Sequence, residues 1–298
     1  MTIEAAVAAP APGRALPVAS MLLALLAVWY GAAVLLNAPM QIDRFEREQA
    51  AWTASDLVAA TLRMERPLLP APHQIAVEMK QSLFDLSVTS KRSLAYHSWV
   101  TLSSTLLGFV IGSFVGLVLA AGIVHARTLD KSLMPWVISS QTIPILAIAP
   151  MIVVVLGAIG LKGLVPKAII STYLCFFPVA IGMVKGLRSP DTLQMDLMRT
   201  YNATRWQTFR LLRWPAAVPF LFASLKVAIA ISLVGAIVGE LPTGAQAGLG
   251  ARLLVGSYYG QTVQIWAALV AAATLAAALV GLVGLAERIV GRAMGGRT

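Results

Sequence analysis

The sequence has almost no cysteine: Cys175 is the only one in 298 residues. A single thiol builds neither a disulfide framework nor a cysteine-based zinc site. Histidine is scarce as well, and His73, His97 and His125 lie too far apart in sequence to form a ligand cluster. Charge is the third shortage. Only 12% of residues are charged against 58% hydrophobic, and the mean hydropathy is +0.79. Globular chains carry about a quarter charged residues. So few charges do not cover the surface of a soluble domain of this size, and so apolar a chain is not disordered. The composition points to a polytopic membrane protein. Paired carboxylates and a histidine metal motif are missing, which counts against an intramembrane enzyme, and no cofactor is expected. There is no G-x-x-x-x-G-K-[ST], so the chain has no nucleotide site of its own. The glycine-rich stretch at Gly244, Gly248 and Gly250 follows a span on the outer side and reads as a tight turn rather than a phosphate cradle.

What the sequence does have is long apolar runs, about 20 residues being enough to cross the hydrocarbon. Six are read: Ala15 to Asn37, Ser98 to Val124, Leu133 to Gly157, Leu164 to Val184, Ala216 to Gly239, and Val263 to Ala286. The expected fold is all-α with about six transmembrane helices. A cleaved signal peptide is the rival reading of the first run. It has only Arg14 as a charged leader and no A-x-A site, so an uncleaved helix is preferred. The net charge of +10 has two readings, nucleic acid or cytoplasmic-loop bias at a membrane, and no nucleic acid partner is expected. With both termini cytoplasmic, the inner segments hold Arg14, Arg127, Lys131, Lys185, Arg188, Arg199, Arg205, Arg210, Arg213, Arg288, Arg292 and Arg297. The short outer loops then hold Lys162, Lys167 and Arg252, which supports that orientation.

The chain divides accordingly into a cytoplasmic tail (1–14), a first helix (15–37), a periplasmic loop (38–97), a five-helix core (98–286) and a basic cytoplasmic tail (287–298). In the outer loop, residues 43–64 read as helical, Pro67, Pro70 and Pro72 interrupt, and residues 74–86 form a short amphipathic helix. The preferred reading is a helix lying on the membrane or the bundle. The sharper one is a docking surface for a periplasmic partner.

The segment 185–215 is polar and basic between two apolar spans. Met195, Met198, Tyr201, Trp206, Phe209 and Leu212 recur at roughly helical spacing. Pro190 and Asp191 suit a helix start, and Asn202 suits a turn between two short helices. A helix of this kind fits a groove on another protein. A solvated connector is the plain alternative.

Here the sequence resembles a family, the importer permeases of the ATP-binding cassette (ABC) type. Their loop signature is EAA, three residues, Gly, nine residues, Ile-x-Leu-Pro. Asp196-Leu197-Met198 stands at EAA, Asn202 at Gly, and Leu212-Arg213-Trp214-Pro215 at Ile-x-Leu-Pro. Asn is the best substitute where a left-handed backbone is wanted. Gln141-Thr142-Ile143-Pro144, Phe176-Phe177-Pro178, Gly186-Leu187-Arg188, Ala203 to Gln207, Leu225-Lys226-Val227-Ala228 and Gly239-Glu240 resemble the nitrate, sulfonate, taurine and pyrimidine-precursor branch. The resemblance covers residue 98 to the end.

The resemblance implies a type I ABC importer permease bundle in the bacterial inner membrane. It implies a cytoplasmic ATP-binding cassette ATPase dimer, a second permease subunit (the same chain or a sister), a periplasmic substrate-binding protein and membrane lipid as partners. Its implied coupling residues are Asp196, Met198, Arg199, Tyr201, Asn202, Trp206 and Pro215. Asp196 is expected to cap the coupling helix, and Pro215 to fix the corner into the fifth span. A small soluble nutrient of the sulfonate, nitrate, taurine or pyrimidine-precursor type is implied as substrate.

Polar residues inside spans need partners or water. Lys226 is the one charge expected within spans two to six, and it either snorkels, pairs with another span or lines the pathway. Glu240 is expected at the outer mouth. Ser139, Ser140, Gln141 and Thr142, followed by Pro144, form the densest polar cluster within a span and are read as pathway-lining, with interhelical hydrogen bonding as the alternative. Gly108, Gly112 and Gly116 recur every four residues, a pattern for close helix packing. An ion-coupled secondary transporter and a non-transporting scaffold stay open beside the importer. The first of these expects repeats and deep acids, and neither is seen.

Overall fold

The computed structural model describes residues 15–242 and 247–294. The expectations for residues 1–14, for Gly244 and for 295–298 lie outside the described residues. Every regular element among the described residues is a helix. Helix α1 (Ala15–Arg47) comes first, and α2 (Ala54–Leu62) and α3 (Pro72–Lys80) follow in the segment expected on the outer side. Next come α4 (Leu94–His125), α5 (Arg127–Ser139), α6 (Ile145–Ala158) and α7 (Leu164–Leu187). The inner segment holds α8 (Thr192–Thr200) and α9 (Arg205–Thr208). Then follow α10 (Trp214–Glu240), α11 (Leu249–Tyr258) and α12 (Thr262–Ala293). The helices α1, α4, α7, α10 and α12 are each long and apolar enough to cross a bilayer.

The third expected span is not one straight helix. Helices α5 and α6 pass the same test only as a pair, bent by 95°. The cause is local. Pro144 has no N–H to continue a helix and biases Ile143 to extended backbone, φ −79° and ψ 120°. A single 3₁₀ turn, Ser140–Thr142, closes α5. Pro150 lies inside α6 and Pro178 inside α7 without ending either helix.

Helices α4, α7 and α10 form the centre of the bundle. Their facing residues are small, so the backbones approach closely and hydroxyls reach across. Ser171 Oγ donates to the carbonyl of Ser232 at 2.9 Å, and Ser232 Oγ donates to that of Thr105 at 2.9 Å. Gly108, Gly112 and Gly116 of α4 face α7, as close packing within the subunit requires. Ile123, Val179, Met183 and Leu187 close the inner half of this core.

The outer segment corrects one expectation. Residues 43–64 are not one helix. α1 runs on to Arg47, Gln49 takes a left-handed φ of 49°, and α2 restarts after Thr53. Thr53 and Asp56 form a capping box, and the Thr53 hydroxyl and N–H hold the Asp56 carboxyl below its ordinary range. The chain after α2 is pinned to α1. Asn37 accepts from Leu68 N–H at 2.7 Å and donates to the Leu69 carbonyl at 2.8 Å. Trp29 Nε1 donates to the Pro70 carbonyl at 3.1 Å. The segment therefore packs against α1.

Candidate functional site

Two places concentrate polar and exposed chemistry: the inner loop around α8 and a buried network at the outer end.

The α8 helix is closed at both ends by its own sequence. Asp191 accepts the Gln194 N–H at 2.7 Å while Gln194 Oε1 accepts the Asp191 N–H at 3.2 Å, a reciprocal capping box. At the other end Asn202 has a φ of 50°. Its N–H donates to the Arg199 carbonyl at 2.8 Å, and the Ala203 N–H donates to that of Met198 at 3.0 Å. This is a Schellman stop with Asn in the left-handed position. Thr204 and Gln207 then form a second capping box and start α9.

Two expectations are corrected here. Asp196 caps nothing. It lies in the middle of α8, where it pairs with Arg199 at 2.8 Å on the exposed surface. Pro215 makes no corner either, because helix runs without interruption from Arg205 to Glu240. A π turn over Phe209–Arg213 precedes the proline, and the Trp214 N–H donates to the Phe209 carbonyl. The widened turn absorbs the donor that Pro215 lacks. The corner sits at Asn202–Thr204 instead.

No residue of α8 is buried. Leu193, Leu197 and Tyr201 are 77%, 55% and 74% exposed, and their spacing of four puts them on one helix face. Trp206 on α9 is also exposed and stacks on Phe209, ring centroids 5.7 Å apart. Met198 and Met195 are half-buried on the opposite face. The sequence reading named Leu197 only within the loop signature and passed over Leu193, although the i, i+4, i+8 series was visible.

At the outer end the Glu240 carboxylate is fully buried. Thr101 Oγ1 donates to it at 2.9 Å, Gly250 N–H at 2.9 Å and Lys167 Nζ at 3.2 Å. Lys167 also donates to the Ala247 carbonyl at 2.7 Å. Leu249 N–H donates to Thr101 Oγ1 at 2.8 Å and Gly248 N–H to His97 Nδ1 at 3.0 Å. Gly248 has φ 126°, and a Cβ there would run into the Glu240 carboxyl. Gly248 and Gly250 thus hold the backbone against an anion of the chain itself.

This corrects three readings. Lys167 belongs to α7 rather than to an outer loop. Lys226 is not the only charge within the spans. Glu240 lines no opening; it ties α4, α7, α10 and the start of α11 together.

Lys226 pairs with Glu287 of α12. Both side chains are about one-third exposed, so the pair is worth at most about 1 kcal/mol. Lys226→Met is expected to shift unfolding in detergent by no more than that, and a larger loss would show a desolvated pair. The polar cluster surrounds the α5–α6 break. Ser140 and Thr142 hydroxyls donate to the Val137 and Ser139 carbonyls, each at 2.7 Å, and the Tyr173 hydroxyl donates to the Ser140 carbonyl. Ser139, Gln141, Thr142 and Pro144 are exposed, and Ser140 is half-buried.

This bundle, with a capped helix presented at its inner face, has the architecture of a membrane transport subunit. The MetNI methionine ABC transporter in its inward-facing conformation has a chain of the same fold: TM-score 0.50, 23% identity, over 67% of this chain and 95% of that one. Residues 108–295 match the family described as "Binding-protein-dependent transport system inner membrane component", and the chain belongs to it. It is 33% identical over 225 residues to the riboflavin transport system permease protein RibX of Chloroflexus aurantiacus, covering 76% of this chain and 80% of that protein. It is 30% identical over 186 residues to the formylaminopyrimidine transport permease protein ThiX of Halalkalibacterium halodurans, 61% of this chain and 68% of that protein. The putative aliphatic sulfonates transport permease protein SsuC of Bacillus subtilis is 24% identical over 221 residues, 74% of this chain and 76% of that protein. The chain is a multi-pass inner-membrane ABC importer permease of the type I fold.

Proposed function

We propose that this permease forms the pathway for a small, soluble, heteroaromatic nutrient and couples to a cytoplasmic ATPase dimer through α8. The observation that carries the coupling is the unpartnered apolar stripe Leu193–Leu197–Tyr201 on a helix capped at both ends. Such a helix is already ordered before it docks, so little conformational entropy opposes binding in a groove. Trp206 adds aromatic area at the edge, and Arg199, Arg205 and Arg210 face acids or lipid phosphates. A second permease subunit completes the pathway, and a periplasmic binding protein delivers the substrate. The polar residues Ser139, Gln141 and Thr142, with Pro144, line it at the α5–α6 break. The substrate class rests on the relatives: those named for riboflavin and for formylaminopyrimidine are the ones at or above 30% identity named here, while a sulfonate relative is more distant.

The test is capture of ATPase activity by the tagged full chain in mild detergent. The expected result is a bound ATPase that a Leu193→Ala, Leu197→Ala, Tyr201→Ala variant fails to retain, with membrane insertion unchanged. An inserted wild type without any ATPase points instead to the scaffold reading. Asn202 offers a finer check. Asn202→Gly should leave capture unchanged, whereas Asn202→Val, forced into a left-handed backbone at about 1–2 kcal/mol, should weaken it roughly five- to thirtyfold. Equal capture by both would remove the Schellman stop from the coupling argument.

A further inference from the structure

A polar cleft of about 590 Å³ opens on the outer side, lined by Glu78, Asp85, Arg92, Arg252, Gln261 and Gln264 among others. It is built from two sources. Glu78, Asp85 and Arg92 come from the outer segment ahead of the family match, while Arg252 comes from α11, Gln261 from the turn before α12 and Gln264 from α12.

Its charges do not satisfy one another. Two cations and two anions line one cleft, yet the closest opposite pair, Arg252 Nη2 and Glu78 Oε1, stands 4.0 Å apart. Glu78 Oε1 accepts a hydrogen bond from the Ser82 hydroxyl, at 3.1 Å. Asp85 and Arg92 form no ion pair among the described residues. Arg252 Nε is buried and has no partner among the described residues. Burial pulls the Arg252 guanidinium down from its ordinary pKa; Glu78 opposes this, and Arg92 adds to it. A buried guanidinium donor without an acceptor is costly, and a carboxylate or phosphate oxygen is the acceptor that its fork fits. Asp85 and Glu78 in the same cleft call for a cation close to that anion.

The depth of the cleft is that of a lipid headgroup. Gln264 lies 23 residues before Glu287 on α12, about 35 Å of helix. That length exceeds the hydrocarbon, about 30 Å thick, so the start of α12, where Gln264 lies, stands near the end of the span. Phe84 and Val88, on the same segment as Asp85, are 80% and 66% exposed. Exposed apolar residues at that depth enter the headgroup and acyl boundary.

We infer that this cleft binds a zwitterion carrying an oxyanion and a primary ammonium about one headgroup apart, namely the phosphoethanolamine headgroup of an outer-leaflet lipid. The phosphate sits on Arg252 and Arg92, the ammonium on Asp85 and Glu78, and the acyl chains leave past Phe84 and Val88. A free zwitterionic solute has the same chemistry without the chains.

The test is native mass spectrometry of the full chain released from nanodiscs of phosphatidylethanolamine, phosphatidylcholine or phosphatidylglycerol. Phosphatidylcholine lacks the N–H donors for the acids, and phosphatidylglycerol lacks the cation. The expected result is one phosphatidylethanolamine retained about threefold to tenfold more than either rival, and retention reduced to theirs by Arg252→Gln. Asp85 is exposed, so Asp85→Asn tests the site without touching the fold and should lower phosphatidylethanolamine retention alone. Equal retention of the three lipids, or retention indifferent to Asp85→Asn, overturns the assignment. Soluble phosphoethanolamine is the last arm. If millimolar phosphoethanolamine binds and lipid does not, the source is a solute and the lipid assignment fails.

Discussion

Lys167→Met is expected to lower the stability of this permease by about 3–5 kcal/mol. The substitution removes the one cation that, among the described residues, pairs with a carboxylate that is itself fully buried. Burying two charges is expensive, and their attraction roughly returns that cost only while both are present. With Lys167 gone, Glu240 keeps the hydrogen bonds from Thr101 and Gly250 but holds an uncompensated charge beside an apolar core. The Ala247 carbonyl loses its donor as well. The double variant Lys167→Met, Glu240→Gln should recover most of the loss. The glutamine carbonyl still accepts from Thr101 and Gly250, and no net charge remains. Reversible unfolding in mixed micelles, read by tryptophan fluorescence, measures the cycle. Single variants within 1 kcal/mol of wild type would mean that water reaches the carboxylate and that the network is not a closed junction.

That junction was the part of the protein least legible in the sequence, and the reason is physical. Glu240 and Lys167 are 73 residues apart, and Thr101 is 139 from Glu240. Composition and periodicity report only neighbours along the chain. Lys167, near the start of an apolar run, therefore read as a loop residue, and Glu240 read as a mouth residue. Only the packing of α4 against α7 and α10 brings them together.

Local signals behaved differently. Asp191 as a helix start and Asn202 as a left-handed stop were readable because capping is decided within four residues. The long apolar spans were readable because hydrocarbon thickness sets one length for all of them. Between these extremes lie Pro144 and Pro215. Both lack the same N–H, yet one ends a helix and bends the chain by 95° while the other rides in an uninterrupted helix behind a π turn. The identity of the residue does not distinguish the two outcomes; whether the preceding turn can widen does.

Gly116→Leu is expected to destabilise the bundle by about 3 kcal/mol or more, at and beyond the upper end of ordinary overpacking. A Cβ at Gly116 would stand 2.7 Å from the Phe176 carbonyl oxygen and 2.8 Å from Val179 Cβ. A Cβ at Gly112 would stand 2.8 Å from Cys175 Cβ and 2.9 Å from the Thr172 carbonyl oxygen. These neighbours are backbone or the roots of side chains, so no rotamer change relieves them. Helix α7 would have to move away from α4, and it is held on its other side by α10 through Ser171 and Ser232. Gly281 on α12 is the control, since nothing lies within 4 Å of its Cβ position, and Gly281→Leu should leave stability unchanged. Monodisperse yield and thermal unfolding in mild detergent separate the two. Equal behaviour would mean that α4 and α7 can part without cost. If they cannot, the three central helices have no slack between them. On the proposed coupling through α8, a displacement imposed at the inner end would then reach the Glu240 junction as a tilt of the three packed helices rather than as local bending.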